Sequence, residues 1–187
     1  MYRTQYCGDL RSTHIGQRVM LAGWVHRRRD HGGLTFIDLR DRYGIVQVVT
    51  NPVDSPQAHQ IMDPVRLEWV IQVEGIVRAR LEGKENPDLL TGEIEVEVLV
   101  VKILNPAKPT PFSINGQDEA DEQTRLRYRY LDLRRARMRN NLELRHKVVK
   151  FIRDYLSERD FLEIETPILF KSTPEERVTI WSPRASI

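Results

Sequence analysis

Apolar and polar residues alternate along much of the first half of the chain, starting with Val19 to His26, between Gly16 and the turn-forming run Asp30-His31-Gly32-Gly33. A repeat of this kind sends successive side chains to opposite faces of a strand. In the next stretch Ile37 and Leu39 fall on one face, and Phe36, Asp38 and Arg40 on the other. Asp41 to Gly44 turns the chain into Ile45 to Thr50, which completes a three-stranded meander. Ser55 followed by Pro56 has the form of a helix N-cap and a first helical residue, and Ala58, Ile61, Met62 and Val65 make a short apolar stripe broken at Pro64. Extended segments return at Trp69 to Arg80 and at Glu93 to Leu104, joined by the polar loop Leu81 to Gly92. In the last of them Ile94, Val96 and Val98 share one face, leaving Glu93, Glu95 and Glu97 on the other.

Three strands, a helix and two strands within about 100 residues predict an all-β, five-stranded Greek-key barrel of the OB type, with the helix capping it between the third and fourth strands. Three prolines between Asn105 and Pro111 mark a linker, and the acidic stretch Asn115 to Glu122 extends it. Beyond it Leu144, Val148, Val149, Ile152 and Leu156 recur at helical spacing opposite Lys147, Lys150, Arg153 and Asp154, which predicts an amphipathic helix over 142–158.

Composition narrows the function more by exclusion than by assignment. No apolar run approaches the roughly 20 residues of a membrane helix. The one cysteine, Cys7, forms no internal disulfide, and Met1 to Tyr6 has no apolar leader core, both of which point to the cytoplasm. A net charge of +2 is too small to imply a polyanion partner, so position matters more than total: Arg27 to Arg29 form one cluster and Arg125 to Lys150 another. Neither the histidines nor Cys7 have metal-ligand spacing, and no glycine-rich phosphate loop occurs.

Single-stranded nucleic acid commonly lies across the outer face of the early strands of an OB barrel, held by exposed aromatics and cations. Phe36 falls on that face, and Gln47, between core positions Val46 and Val48, falls there too, with an amide able to pair with a base edge. A row of carboxylates at 93, 95 and 97 would repel phosphates, so at most one of them serves recognition. Each feature also has a bland reading, as minor packing, solvated charge or solubility, and on the residues alone the two stand even. The interleaved arginines and tyrosines of Arg125 to Arg139 fit RNA contact, or equally a helix packing Tyr128, Leu131 and Met138 against a neighbour.

Several strings then resemble one family: Tyr6-Cys7-Gly8, Gly23-Trp24-Val25-His26-Arg27-Arg28-Arg29-Asp30, Phe36-Ile37-Asp38-Leu39-Arg40-Asp41, Gly44-Ile45-Val46-Gln47-Val48, Thr91-Gly92-Glu93-Ile94-Glu95-Val96, Arg127-Tyr128-Arg129-Tyr130-Leu131-Asp132-Leu133-Arg134-Arg135 and Glu165-Thr166-Pro167. Together they resemble the N-terminal portion of a bacterial aspartyl-tRNA synthetase, of class IIb, over residues 1–175. The resemblance implies an anticodon-binding OB domain at 1–107, a linker and helical hinge at 108–141, and at 142–175 the first helix and strand of an incomplete class II α+β catalytic domain. It implies that Phe36 stacks on the central anticodon base, Gln47 reads its edge, Glu95 contacts the first base, and Arg29, Arg78 and Asn86 hold the loop. His31 and Gly83 resemble enzymes that also charge tRNA-Asn, Pro167 the proline at the dimer interface, and Glu175 a mobile-loop glutamate beside bound aspartate. The partners so implied are tRNA-Asp and a second subunit of the full-length enzyme, with no membrane or DNA.

Residues 176–187, Glu-Arg-Val-Thr-Ile-Trp-Ser-Pro-Arg-Ala-Ser-Ile, do not resemble the family. A DNA string that encodes the family's Gly-Ala-Arg-Asp-Tyr-Leu-Val-Pro-Ser-Arg-Val-His encodes this tail once its first base is dropped, so the expectation is a frameshift after Glu175. The family binds ATP and magnesium through motifs downstream of that point. This chain alone is therefore expected to hold neither, to contain no catalytic residue and to be inactive in aminoacylation, leaving a tRNA-binding module or a pseudogene product as the alternative reading.

Overall fold

The computed structural model describes residues 2–116 and 120–169, which belong to two compact units divided between Arg135 and Ala136. The first contains β1 (Arg18–His31), β2 (Leu34–Arg40), β3 (Ile45–Thr50), α1 (Pro56–Met62), β4 (Val70–Ala79), β5 (Ile94–Asn105), α2 (Glu122–Arg127) and α3 (Arg129–Asp132). The second contains α4 (Ala136–Ser157). No helix among the described residues is long and apolar enough to cross a membrane.

The strands close into a barrel in the order β1-β2-β3-β5-β4. Closure uses a parallel contact between β3 and β5, Val48 opposite Val96 and Val49 opposite Glu97, and all other pairs are antiparallel. Inside lie Val19, Leu21, Val25, Ile37, Leu39, Val46, Val48, Ile71, Val73, Val77, Ile94, Val96 and Val98, with Ala58 and Met62 of α1 closing one end. Alternation thus names the core side of β2, β3 and β5 correctly, and α1 starts at the proline the sequence marks. Ser55 does not cap through its side chain, however; its Oγ bonds the Asn51 carbonyl at 3.3 Å.

Two details of β1 escape the sequence pattern. The strand runs on to His31, and β2 leaves it through Gly32 and Gly33, both at positive φ (58° and 79°), the type I′ geometry that suits a two-residue hairpin. The register also slips between Val25 and Arg27, so that His26 has no partner and the inside–outside alternation reverses beyond it. Arg28, now on the core side, donates from Nη1 to the Met62, Asp63 and Val65 carbonyls at and just beyond the C-terminus of α1, where a cation complements the helix dipole.

The linker residues 107–115 are tied to the barrel. Trp69 Nε1 donates to the Ala107 carbonyl at 2.9 Å, and Phe112, Ile114 and Leu131 form a small second core with Tyr128 against it. Glu68, nearly buried and held at φ 63°, accepts from Arg40 Nη2 at both its oxygens (3.0 and 2.9 Å), from Arg134 Nη2 at 2.8 Å and from Asn115 Nδ2 at 3.3 Å. Arg40 also donates to His26 Nδ1 at 3.0 Å. Asp132, buried, is clasped by Arg125 (3.1 Å) and Arg129 (2.5 Å). Three arginines of the arginine-rich run, Arg125, Arg129 and Arg134, are thus committed to internal carboxylates, and Tyr128 and Leu131 pack as the second of its two readings expects.

In the second unit α4 stops in a Schellman turn: Asp160 sits at φ 64°, Asp160 N–H bonds Ser157 O at 3.2 Å and Phe161 N–H bonds Leu156 O at 3.2 Å. Its stripe of Leu144, Val148, Val149, Ile152 and Leu156 is exposed throughout. Residues 161–167 carry no strand pairing, because the strand expected there has no ladder partner among the described residues. Glu175 and the tail 176–187 lie outside the described residues.

Two outcomes follow from the Glu68 cluster. Glu68→Gln leaves two guanidinium groups facing an uncharged amide in a nearly dry site, and is expected to lower unfolding free energy by about 3 kcal/mol in urea denaturation; an unchanged midpoint refutes the role given to the carboxylate. His26 is held below its ordinary value of 6.5 by burial, reinforced by Arg40. A folded-state pKa below the unfolded one stabilises fully above about 6.5 and loses that contribution as pH falls through the folded value. Part of the stability lost between about pH 7 and pH 5 should therefore vanish in His26→Gln, which keeps an acceptor for Arg40 without titrating.

Candidate nucleic-acid interface

The register slip at His26 decides what the outer face can do. Had alternation continued from Val25, Arg27 and Arg29 would point into the barrel; after the slip Arg29 is paired with Phe36 and faces outward beside it. Phe36 is half-buried and shares a groove of about 860 Å³ with Gln47, Arg78, Arg80 and Glu95, with His31, Leu34, Leu81 and Lys84 also lining it. The ring is thus on the outer face, neither sealed in the core nor fully exposed.

A continuous chain of polar contacts crosses the groove. Arg29 Nη2 donates to Asp38 Oδ1 and to Gln47 Oε1, each at 3.1 Å. Gln47 Nε2 donates to Glu95 Oε2 at 2.8 Å, and Arg78 Nε donates to Glu95 Oε1 at 3.0 Å. Arg78 Nη1 also meets Glu97 Oε2 at 3.2 Å. The orientation of the Gln47 amide is fixed by charge: its oxygen faces a guanidinium and its nitrogen a carboxylate, so a flip would place like against like at both ends. These contacts use one acceptor site and one N–H of an amide that has two of each. One acceptor site and one N–H of the amide are left, groups of the kind that pair with a base edge.

The chain also resolves the problem posed by three carboxylates in a row. Glu95 is nearly buried and charge-paired, Glu97 shares Arg78, and Glu93 alone is left exposed. At the hairpin end, hydrogen bonds from Arg28 and then from Thr35 hold the Asp30 carboxyl below the usual carboxylate range. Of the arginine cluster, Arg28 is taken by α1 and Arg29 by the groove.

The other residues singled out from the sequence divide. His31 lines the groove rim and is exposed. Gly83, at φ 74°, occupies the third position of the turn closed by Lys84 N–H to Leu81 O at 2.9 Å, and Glu82 before it has no positive φ, which makes a type II turn. Asn86 is outside the groove lining; its Oδ1 accepts from Asp88 N–H at 3.0 Å and its backbone bonds Gly92. Pro167 is exposed in the second unit. Asp30, Leu34, Arg80 and Lys84 line the groove without having been expected to. For Arg80 a signal was available: one residue beyond β4 and two after Arg78, it continues the face that lies opposite core residue Val77.

Residues 19–104 match the family described as OB-fold nucleic acid binding domain, and residues 121–179 that described as tRNA synthetases class II (D, K and N). The chain is similar to the aspartate–tRNA(Asp/Asn) ligase of Rubrobacter xylanophilus, 58% identical over 93% of this chain and 29% of that protein, and to that of Dictyoglomus turgidum, 57% identical over 94% and 30%. It thus spans about 30% of the length of the curated relatives it matches. Among solved structures, asparaginyl-tRNA synthetase from Pyrococcus horikoshii superposes with a TM-score of 0.77 at 25% identity, over 91% of this chain and 39% of that one. Aspartyl tRNA synthetase from Entamoeba histolytica gives 0.77 at 21% identity, over 91% and 41%, and supports the fold alone.

The contact chain makes a pH-dependent prediction. In Gln47→Glu two carboxylates lie at the 2.8 Å now spanned by amide and Glu95, and the pair should hold a proton well above the ordinary glutamate value of about 4.3. A carboxyl pKa raised by folding stabilises only below it, so the variant should lose stability relative to the parent as pH rises from about 4 to 7. Denaturation midpoints that stay parallel across that interval would show that the two side chains are not in contact.

Proposed function

Because the chain belongs to the aspartyl-tRNA synthetase family, we propose that its barrel reads the anticodon loop of tRNA-Asp. The observation that carries this is the half-buried Phe36 ring beside an amide locked by Arg29 and Glu95, all on the outer barrel face. Phe36 stacks on the central anticodon base, Gln47 pairs with its edge through its unused acceptor and donor, and Glu95 takes a donor of the first base. Arg29 and Arg78 supply cations to the loop backbone, and Asn86 shapes the β4–β5 loop through its backbone and side-chain bonds. His31 at the groove rim and Gly83 in the neighbouring turn are assigned to tolerance of tRNA-Asn.

Ligation of aspartate to tRNA, with ATP and magnesium, belongs in this reading to a longer cytoplasmic protein that dimerises through the Pro167 segment and places Glu175 near aspartate. By itself the chain is assigned binding without aminoacylation.

The test is binding of a tRNA-Asp transcript at fixed salt by this chain and by Phe36→Ala. Loss of one base stack is worth about 1–3 kcal/mol, so affinity should fall by roughly fivefold or more, with the parent's thermal midpoint nearly retained. Equal affinities would remove Phe36, and the groove with it, from the reading.

A further inference from the structure

Asn115, which ties the linker to the barrel, stands directly before Gly116, and no other glycine in the sequence follows an asparagine. In such a pair the backbone nitrogen of the second residue can reach the side-chain carbonyl carbon of the first, because no Cβ restricts the approach. Elsewhere the chain denies that approach. Asn51, Asn86 and Asn105 each precede proline, whose nitrogen carries no hydrogen to lose, and Asn140 and Asn141 lie inside α4, where the next N–H groups are held in the helix ladder. Asn115 is exposed, so water has access to it. Its carbonyl is also polarised: Arg40 Nη1 donates to Asn115 Oδ1, and a guanidinium placed there stabilises the oxyanion that forms when the carbon is attacked. Ser113 acts the other way, since its Oγ accepts the Gly116 N–H at 2.7 Å and that bond must open before the nitrogen can turn to Cγ.

We propose that Asn115 is a self-modification site, deamidated by its own backbone, with Arg40 as the group that activates its amide. The Gly116 nitrogen bonds to Asn115 Cγ, and its proton passes through solvent to the amide nitrogen. The Cγ–Nδ2 bond then breaks, ammonia departs and a five-membered cyclic imide is left. Water opens the imide at either carbonyl, giving aspartate, or isoaspartate with the main chain running through Cγ. Neither product restores the original contacts. Nδ2, which donates to Glu68 Oε1 at 3.3 Å, is lost in both, and in aspartate a carboxylate faces the Glu68 carboxylate. In isoaspartate the main chain is one carbon longer and the side chain one carbon shorter, which withdraws the carboxyl from Arg40. The reaction thus loosens the hold of Arg40 and Glu68 on the linker without cutting the chain.

The full chain, folded, is incubated for several days in mildly alkaline buffer and followed by intact mass and peptide mapping. The expected result is a gain of about 1 Da located at position 115, labelling of the same peptide by an isoaspartyl methyltransferase, and a lowered thermal midpoint in the aged protein. Gly116→Ala should slow the gain roughly tenfold and Arg40→Met roughly fivefold, whereas Ser113→Ala should speed it. No gain in the folded parent overturns the proposal, as does a gain at Asn140 or Asn141 in its place. So does a rate in folded Arg40→Met equal to or above the parent's, which marks a site that the fold restrains and does not activate. If Arg40→Met does not fold, Ser113→Ala decides: with the restraint on the Gly116 nitrogen removed, the folded variant should react faster than the same variant unfolded in urea, and the opposite order overturns the role of Arg40.

Discussion

A closed five-stranded barrel has a single interior, and each side chain on its strands is committed either to it or to the outside. Filling that interior with Val, Ile and Leu from all five strands leaves the intervening residues no choice of direction. Gln47 points outward because Val46 and Val48 point in; Glu95 because Ile94 and Val96 do; Phe36 because Ile37 does. The polar groove is therefore a consequence of core packing. Close approach between strands tightens the constraint, since at Gly75 any Cβ would lie 2.2 Å from the Glu97 carbonyl oxygen.

What alternation could reveal, it revealed. Strand existence, the core side of β2, β3 and β5, the start of α1 and the outward placing of Phe36 and Gln47 are local properties with a two-residue or helical period. Register slips are not local. The unpaired His26 exists because β1 pairs with β4 over one part of its length and with β2 over the other, and nothing in Val25-His26-Arg27 marks which residue is extra. Yet that residue decides that Arg28 caps a helix and Arg29 enters the groove. The exposed-carboxylate reading of β5 fails for the same reason: Glu95 is matched by Arg78 across a strand pair and by Gln47 across the parallel closure, contacts between residues far apart in the chain.

Charge is spent internally to an extent that composition conceals. Glu68, Asp132 and Glu95 are each nearly buried, and each takes two guanidinium groups or a guanidinium and an amide. Asp41 similarly accepts from the backbone of Cys7, Tyr43 and Gly44. Arginine can serve such sites because its fork satisfies a carboxylate's two oxygens while remaining charged. The near balance of 29 basic and 27 acidic residues thus reflects pairing within the fold as much as solubility.

The groove chain and the Glu68 cluster meet at one place. Asp38 holds Arg29 from one side and lies close enough to His26 to influence its charge, and His26 in turn accepts from Arg40, which binds Glu68. The same short stretch of β1 and β2 therefore orients a groove side chain and anchors the segment that follows the barrel. Preorganisation of this kind lowers what binding must give up in side-chain freedom, because Arg29 and Gln47 are already ordered before a base arrives. It also means that a ligand competing for Arg29 would disturb the balance of charge around Asp38 and His26, on the side of the barrel from which Asn115 and Arg134 are held.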